Sequence, residues 1–196
     1  MERRLKSLRR EELDDTQRGL FDAIVASSRG SDTTHGTLVN DNGGLRGPFN
    51  AMLLQPALGH LLQAIGATLR YRSMASDRVR EMSVLLVAAH YGCEYERKVH
   101  EAAARKVDVP TSVLATIREG LVPELEDESE RLALEVVAAL LTEHVVEDEL
   151  YGRAVEALST AVVFELSVIV GYYALLALQL PLFGVTPNPE LRRIWR

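Results

Sequence analysis

The segment from residue 80 to residue 100, REMSVLLVAAHYGCEYERKVH, constrains the fold of this chain more than any other. Its apolar block, VLLVAA, is too short to span a bilayer and has no alternating polar residues, so we expect a buried helix. Gly92 predicts a turn, because glycine is costly inside a helix and cheap in a turn. A second helical pattern covers residues 93–106 and ends before Pro110, since the residue preceding a proline leaves helical geometry. The sequence therefore predicts a helical hairpin with its apex at Gly92.

The hairpin predicts that polar side chains from its two arms meet. At about 1.5 Å per residue, Glu81 lies roughly 16 Å from the apex on one arm and His100 roughly 12 Å on the other. These levels are close enough for the two side chains to touch. On the second arm, Cys93, Glu96 and His100 are spaced i, i+3 and i+7, so they share one face of the helix. Two carboxyl groups, an imidazole and a thiol would then form a candidate acid–base site.

The order and spacing of these four residues resemble a known motif. The pattern Glu81-x11-Cys93-x2-Glu96-x3-His100 is similar to the core of the carboxymuconolactone decarboxylase family, which includes the alkyl hydroperoxidase D branch. The peroxidase branch has a second cysteine where this chain has Glu96, so three of the four positions match. The run GCEYERKVH also resembles the G-x-EYEW-x-x-H form of family members that lack the cysteine pair, with Arg97 in place of tryptophan.

The resemblance extends from about residue 47 to about residue 185 and implies a fold and an assembly. The implied fold is all-α, an alkyl hydroperoxidase D-like helical domain built around a central helical hairpin. The implied assembly is a homo-oligomer, a trimer or a hexamer, with an obligate character. The implied activity is that of a lyase of the decarboxylase type. It would act on a small carboxylated lactone or a related unsaturated acid, with no cofactor.

Each candidate site residue has a chemical role in this hypothesis. His100 would transfer a proton to or from the reacting carbon as general acid or base. Glu81 would orient the imidazole and stabilise its charged form, and Glu96 would be a second acid–base group. Cys93 lies in the first turn of its helix, where the helix dipole favours a thiolate. Tyr95 would contribute a hydroxyl donor to substrate binding, or packing.

Two other functions stay open from the sequence. One is a single-cysteine alkyl hydroperoxide peroxidase or redox sensor, in which Cys93 works with an external reductant because the chain has no second thiol. The other is a non-catalytic oligomeric scaffold, in which His100 is a core histidine paired with a carboxylate. A metal site is disfavoured, since the spacing of the His, Cys and Glu residues matches no closed zinc motif.

Composition narrows the class of partner and the location. The net charge of −6 argues against nucleic acid, because phosphate binding needs a concentrated basic surface. A single cysteine and no apolar N-terminal leader predict a cytoplasmic protein. Residues 161–182 are nearly long enough to span a membrane, but Glu165 interrupts them, so we expect a core or subunit-interface helix and no membrane partner. An anionic substrate would need a nearby cation, and four arginines are candidates: Arg46, Arg70, Arg72 and Arg80.

The length of 196 residues predicts a single domain covering residues 1–196. Residues 1–47 would hold an N-terminal helix, at about 14–27, and a mobile glycine-rich loop, 28–47, in which His35 faces solvent. Residues 186–196 would form a C-terminal tail. The buried stripe of the first helix is predicted as Leu20, Phe21, Ile24 and Val25. Thr111 or Ser112 is predicted to cap a short helix after the hairpin.

Overall fold

The structure is a computed structural model that describes residues 4–27 and 38–185. Within these ranges the chain forms α-helices and no β-strand, which confirms the predicted all-α class. The helices are α1 (Asp15–Ala26), α2 (Phe49–Met52), α3 (Pro56–Tyr71), α4 (Asp77–His90), α5 (Glu94–Lys106), α6 (Thr111–Arg118), α7 (Glu128–Thr142), α8 (Asp148–Leu158) and α9 (Thr160–Leu182). The predicted tail at 186–196 and residues 28–37, with His35, lie outside the described residues.

Helix α4 is the centre of the packing. Every residue from Val79 to Ala88 is buried, and Met82, Val84 and Val87 have no exposed surface. The helix contacts α5, α6, α7 and α9. Burial of one such apolar side chain is worth about 1.5–3 kcal/mol, so this block ties four neighbouring helices together. The predicted buried helix is confirmed, and it carries Glu81 into the interior.

The hairpin turn is where the sequence placed it. The side chain of Ser76 accepts the Val79 amide and so caps the start of α4. After α4 ends, the Cys93 amide donates to the Ala88 carbonyl at 2.8 Å. Gly92 has a φ of 58°, a left-handed conformation that is costly for residues with a side chain. Helix α5 then begins immediately after Cys93, its N-cap residue.

Helix α1 confirms most of its predicted pattern. Its N-cap Asp14 accepts the Gln17 amide, and the Gln17 side chain accepts the Asp14 amide, which forms a capping box. Three of the four predicted core residues are buried, namely Leu20, Phe21 and Ile24. The prediction for Val25 is wrong, because its side chain lies on the outer face of α1 and is 37% exposed.

The predicted cap of the short helix after the hairpin is also wrong. Helix α6 begins at Thr111, and its N-cap is Pro110 with no side-chain cap hydrogen bond. Pro110 has an extended backbone, with φ −62° and ψ 149°, so it leads straight into the helix. Thr111 is therefore already the first helical residue, and Ser112 the second.

The N-terminal segment packs against the residues that precede α2. The Leu8 amide donates to Asn50 Oδ1 at 3.0 Å, and Asn40 Nδ2 donates to Ser7 Oγ at 3.0 Å. Within the predicted loop, the described part closes as a turn in which the Asn40 amide donates to the Gly44 carbonyl at 2.8 Å. Residues 4–9 and 38–50 are thus joined by hydrogen bonds, and Gly47 lies against Tyr95 at the start of α5.

Helix α9 is 23 residues long and, among the described residues, is the one helix long and apolar enough to cross a membrane. The core helix of a soluble protein can meet the same criterion. Its most apolar window has a mean hydropathy of 2.1 and is 39% buried, because one face packs on α4, α7 and α8. Glu165, which interrupts the apolar run, accepts hydrogen bonds from the Ser73 hydroxyl and from the Met74 amide at 2.8 Å. That carboxylate therefore fastens the connection between α3 and α4.

Candidate active site

Glu81 and His100 meet inside the protein. Glu81 lies in the second turn of α4, and His100 lies in the second turn of α5, on the face that packs against α4. The His100 Nδ1 atom is 2.7 Å from Glu81 Oε2. The contact predicted from the helical rise is confirmed, and it follows from the hairpin because both residues lie at similar depths below Gly92.

Three more side chains extend this contact into a row of alternating charge. Glu96 Oε2 lies 3.3 Å from His100 Nε2, so the imidazole has a carboxyl group at each nitrogen. On the other side, the Arg80 guanidinium donates to Glu81 Oε1 at 3.0 and 3.2 Å and to Asp77 Oδ1 at 2.5 Å. The row therefore runs Asp77, Arg80, Glu81, His100 and Glu96.

Burial makes these contacts energetically important. Glu81, Glu96 and His100 are only 3–4% exposed. A buried charge is expensive unless it is paired, so each member of the row needs its neighbours. The ring of Tyr173, from α9, meets the His100 ring edge to face at 5.1 Å and shields it from solvent. The site is a closed polar layer inside an otherwise apolar hairpin.

The pairing changes the proton affinity of both central groups. Burial disfavours the charged imidazole, but the hydrogen bonds and negative charges of Glu81 and Glu96 outweigh it and raise the His100 pKa to about 9. Burial likewise opposes ionisation of Glu81, but His100 and Arg80 outweigh it and lower the Glu81 pKa to about 2. At neutral pH, His100 is therefore an imidazolium that is hydrogen-bonded to Glu81 through Nδ1 and lies 3.3 Å from Glu96 at Nε2.

Cys93 does not have the thiolate character that the helix dipole predicted. It is 4% exposed and packs in an apolar cluster with Ala88, Ala177 and Leu180. Burial and the negative charge of Glu96 raise the Cys93 pKa to about 12, against the smaller opposite effect of nearby backbone amides. The dipole prediction is wrong because desolvation is the larger effect here.

Tyr95 lines a cavity beside the site. This cavity has a volume of about 160 Å³ and is bounded by Tyr95 together with the N-terminal segment, the turn at 38–47 and Asn50. A β-carbon at Gly47 would collide with the Tyr95 hydroxyl, so the ring rests directly on the glycine, whose φ is 58°. Burial raises the Tyr95 pKa above its usual value, and so do the charges of Glu96 and Cys93, while Arg46 acts in the opposite direction.

Three of the four candidate arginines lie in clearly different surroundings. Arg80 is inside the site, but Glu81 and Asp77 already occupy its guanidinium. Arg46 lines the 160 Å³ cavity. Arg70 lies over the ring of Tyr71 at 5.7 Å. The pairing of Arg80 with Glu81 was not predicted from the sequence. The position of Arg80 next to Glu81 in a buried helix could have indicated this pair.

Tyr173 was also missed as a neighbour of His100. No spacing rule connects it to the hairpin, because α9 begins more than fifty residues after the hairpin ends. A second, larger cavity of about 380 Å³ lies between α7 and α8, far from the motif, and several glutamates line it. Neither of these two cavities is lined by Glu81, Glu96 or His100 among the described residues.

Comparison with known proteins gives no family assignment, since no protein-family model and no curated protein sequence matches the chain. The likeness to carboxymuconolactone decarboxylases therefore rests on the residues of the motif. The geometry of the site stands independently of that likeness. It consists of an imidazolium held between two carboxyl groups, one of which, Glu81, is fixed in place by an arginine.

Proposed function

We propose that this protein is an acid–base enzyme of the carboxymuconolactone decarboxylase type, acting on a small carboxylated lactone or a related unsaturated acid. The observation that carries the proposal is the placement of His100 between Glu81 and Glu96, at 2.7 and 3.3 Å. A general acid or base needs a titratable group with a defined proton path, and histidine is the most frequent choice.

The proposed step is decarboxylation followed by protonation of carbon. The bond between the lactone ring and its carboxylate breaks, the electron pair stays on the ring as an enolate-type anion, and CO₂ leaves. The proton on His100 Nε2 passes through Glu96 and forms the new C–H bond. His100 regains its proton from solvent, and Glu81 favours that return by stabilising the imidazolium.

The proposal is tested by turnover of carboxylated γ-lactones in His100→Gln. We expect turnover to fall by at least about a hundredfold, since general acid–base catalysis typically contributes that much or more. The matched control is His90→Gln, because His90 is an exposed histidine on the same hairpin. Glu96→Gln provides a second variant that leaves the His100–Glu81 contact in place, and circular dichroism checks that each variant is folded. Undiminished turnover in folded His100→Gln and Glu96→Gln would contradict the proposal.

A second candidate function is a non-catalytic scaffold, favoured by the burial of the polar row. Glu81 and His100 are paired and almost fully enclosed within the chain. A scaffold would show no turnover of any lactone in the wild-type protein. It would also keep its partners and its assembly in folded variants of Glu96, because those properties would not depend on a proton path.

The thiol peroxidase alternative has less physical support. A thiol with a pKa near 12 is almost wholly protonated at neutral pH, and the thiolate is the nucleophile. We expect Cys93→Ser to retain lactone turnover within about threefold of wild type. Hydroperoxide consumption that disappears in Cys93→Ser but survives in His100→Gln would instead favour the peroxidase.

We also infer that the protein forms a homo-oligomer through the outer face of α9. This face carries apolar residues at alternating steps of four and three, a heptad pattern typical of helix pairing. The stripe consists of Phe164, Val168, Gly171, Leu175, Leu178 and Leu182. Phe164, Leu178 and Leu182 are 55–69% exposed in the single chain. A second, shorter apolar stripe on the neighbouring helix α3 comprises Leu58, Leu61 and Ile65.

The assembly is tested by light scattering after size-exclusion chromatography. Phe164→Glu combined with Leu178→Glu is expected to give a monomer, because each glutamate would be buried without a partner in a helix pair. Tyr151→Glu is the matched control, since Tyr151 is an exposed aromatic residue on α8, outside the stripe. A wild-type protein that is monomeric at all concentrations would contradict the inference.

A further inference from the structure

The 160 Å³ cavity beside Tyr95 has the features of a binding pocket for a small anion. Arg46 contributes a guanidinium, and none of the described residues that line the cavity is acidic. The remaining walls are apolar or uncharged, from Leu5, Leu45 and Val185. Ligand pockets commonly combine such apolar walls with a few convergent polar groups.

The frame of this pocket is already fixed by internal hydrogen bonds. Asn50 accepts the Leu8 amide and donates to the Lys6 carbonyl, both at 3.0 Å, so its side chain is held in a fixed orientation. Ser7 Oγ accepts from Asn40 at 3.0 Å. These bonds hold the N-terminal segment against the turn at 38–47 and give the cavity a defined wall, which lowers the entropic cost of ordering it around a ligand.

Arg46 is held much more weakly than the frame. Its guanidinium donates to the Val39 carbonyl and to Asp41, each at 3.3 Å. The Asp41 side chain is fully exposed, and an exposed ion pair contributes only about 0–1 kcal/mol. A ligand carboxylate inside the cavity can therefore replace Asp41 at little cost, and arginine suits carboxylates because its planar fork binds both oxygens.

The pocket adjoins the catalytic hairpin through Tyr95 and Val185. Both residues line the cavity, and both also pack against the apolar cluster that contains Cys93. Tyr95 directly precedes Glu96 in α5, and its phenol senses the charges of both Glu96 and Arg46. Tyr95 thus connects the wall of the cavity with the acid–base row along the chain.

We propose that this cavity binds the carboxylate of a small organic acid, with Arg46 pairing the carboxylate and the Tyr95 hydroxyl donating a second hydrogen bond. The assignment rests on the proposed function, because the acid would be the substrate of that reaction, bound beside Tyr95, the residue that precedes Glu96 in α5. The volume of about 160 Å³ lies below the roughly 300–1,000 Å³ of typical ligand pockets, so it favours a compact acid.

The test measures binding of a γ-butyrolactone carboxylate and of its neutral methyl ester by isothermal titration calorimetry. We expect Arg46→Met to weaken binding of the acid roughly ten- to hundredfold, since a hydrogen bond to a charged group is lost. Binding of the ester is expected to change little. Tyr95→Phe should weaken acid binding by about tenfold or less. The matched control is Arg72→Met, which removes an exposed arginine outside the cavity.

The outcomes separate the pocket from the proposed function. Equal acid affinity in Arg46→Met and wild type would overturn the pocket, even if turnover still depends on His100. Acid binding that requires Arg46, in a protein that converts no lactone, would support the pocket and overturn the proposed enzymatic activity. Equal weakening of acid and ester in Arg46→Met would indicate a damaged wall and would overturn the role of the charge.

Discussion

Two glutamates on helix α5, five residues apart, have opposite kinds of partner. Glu96 faces the interior and its carboxyl group contacts His100 at 3.3 Å. Glu101 is almost as buried, at 6% exposed, but its arginine partners lie at the rim of the protein, and Arg118 donates to it at 2.5 and 2.6 Å. Arg97 and Arg105 also donate to Glu101, at 3.2 and 3.3 Å.

The difference separates a fixed ion cluster from a group that can exchange protons. An arginine keeps its proton at any accessible pH, so the Glu101 cluster can hold α5 against α6 but cannot transfer a proton. His100 can lose its proton, and because Glu81 and Glu96 raise its pKa to about 9, it does so at moderately alkaline pH. Both clusters contain ionised residues on one helix, and only the one with an imidazole contains a group that can exchange a proton at moderately alkaline pH.

The largest effect is expected when Glu81 is removed from the buried row. Glu81→Leu leaves Arg80 and His100 as buried cations without their shared partner, and breaking a buried pair in this way typically costs about 3–5 kcal/mol. We expect a loss of that size in the free energy of unfolding, measured by urea denaturation at neutral pH and fixed protein concentration. A loss below about 1 kcal/mol would mean that the row behaves like an exposed ion cluster.

The next prediction concerns alkaline pH. The His100 pKa is raised from 6.5 to about 9, so its contribution to stability is complete below pH 6.5 and is lost as pH rises through about 9. The loss across that window is on the order of 3 kcal/mol, from 1.36 kcal/mol per pKa unit. Urea denaturation at a series of pH values should show this decline in wild type and in His90→Gln. In His100→Gln the decline should be absent, and a decline that persists there would assign it to another group.

The stability contributed by Glu81, the acidic partner in the same ion pair, depends on pH in the opposite direction. The Glu81 pKa is lowered from 4.5 to about 2, so its contribution is present above pH 4.5 and is lost as pH falls towards 2. The two losses report one interaction from its two ends and are not added together. Stability from the row is therefore greatest between about pH 4.5 and 6.5.

The sequence was sufficient to predict the central contact. The helical rise, counted from Gly92, placed Glu81 and His100 at similar depths, and Gly92 itself could be recognised because glycine favours the left-handed turn. Both facts are local to one stretch of chain. For the same reason, the shared face of Glu96 and His100 could be read from their spacing of four residues.

Properties that depend on distant segments could not be predicted in this way. The pKa of Cys93 is raised mainly by burial, and Cys93 packs against Ala177 and Leu180 of helix α9, which lies outside the motif. The contact of Tyr173 with His100 likewise depends on how α9 packs across the hairpin. The prediction of a thiolate at Cys93 was wrong because the helix dipole is a local effect, whereas desolvation depends on the whole fold.

The smallest effect is expected for a substitution in the rim cluster, which consists of Glu101 and its three arginines. Glu101→Gln removes the charge from the rim cluster, but Arg97, Arg105 and Arg118 are 33–49% exposed and can be solvated by water. We therefore expect a loss of only about 1 kcal/mol in the free energy of unfolding. The arginines lower the Glu101 pKa, so its contribution is present above pH 4.5 and declines only as pH falls below that value.

Between pH 6.5 and 9 the difference between Glu101→Gln and wild type should therefore stay constant, because no group in the rim cluster titrates there. The measurement is the same series of urea denaturations that tests His100. A cost that approaches that of Glu81→Leu, or one that changes across the alkaline window, would show that the rim cluster is coupled to the buried row. Proton exchange would then no longer distinguish the Glu101 cluster from the row that contains Glu96.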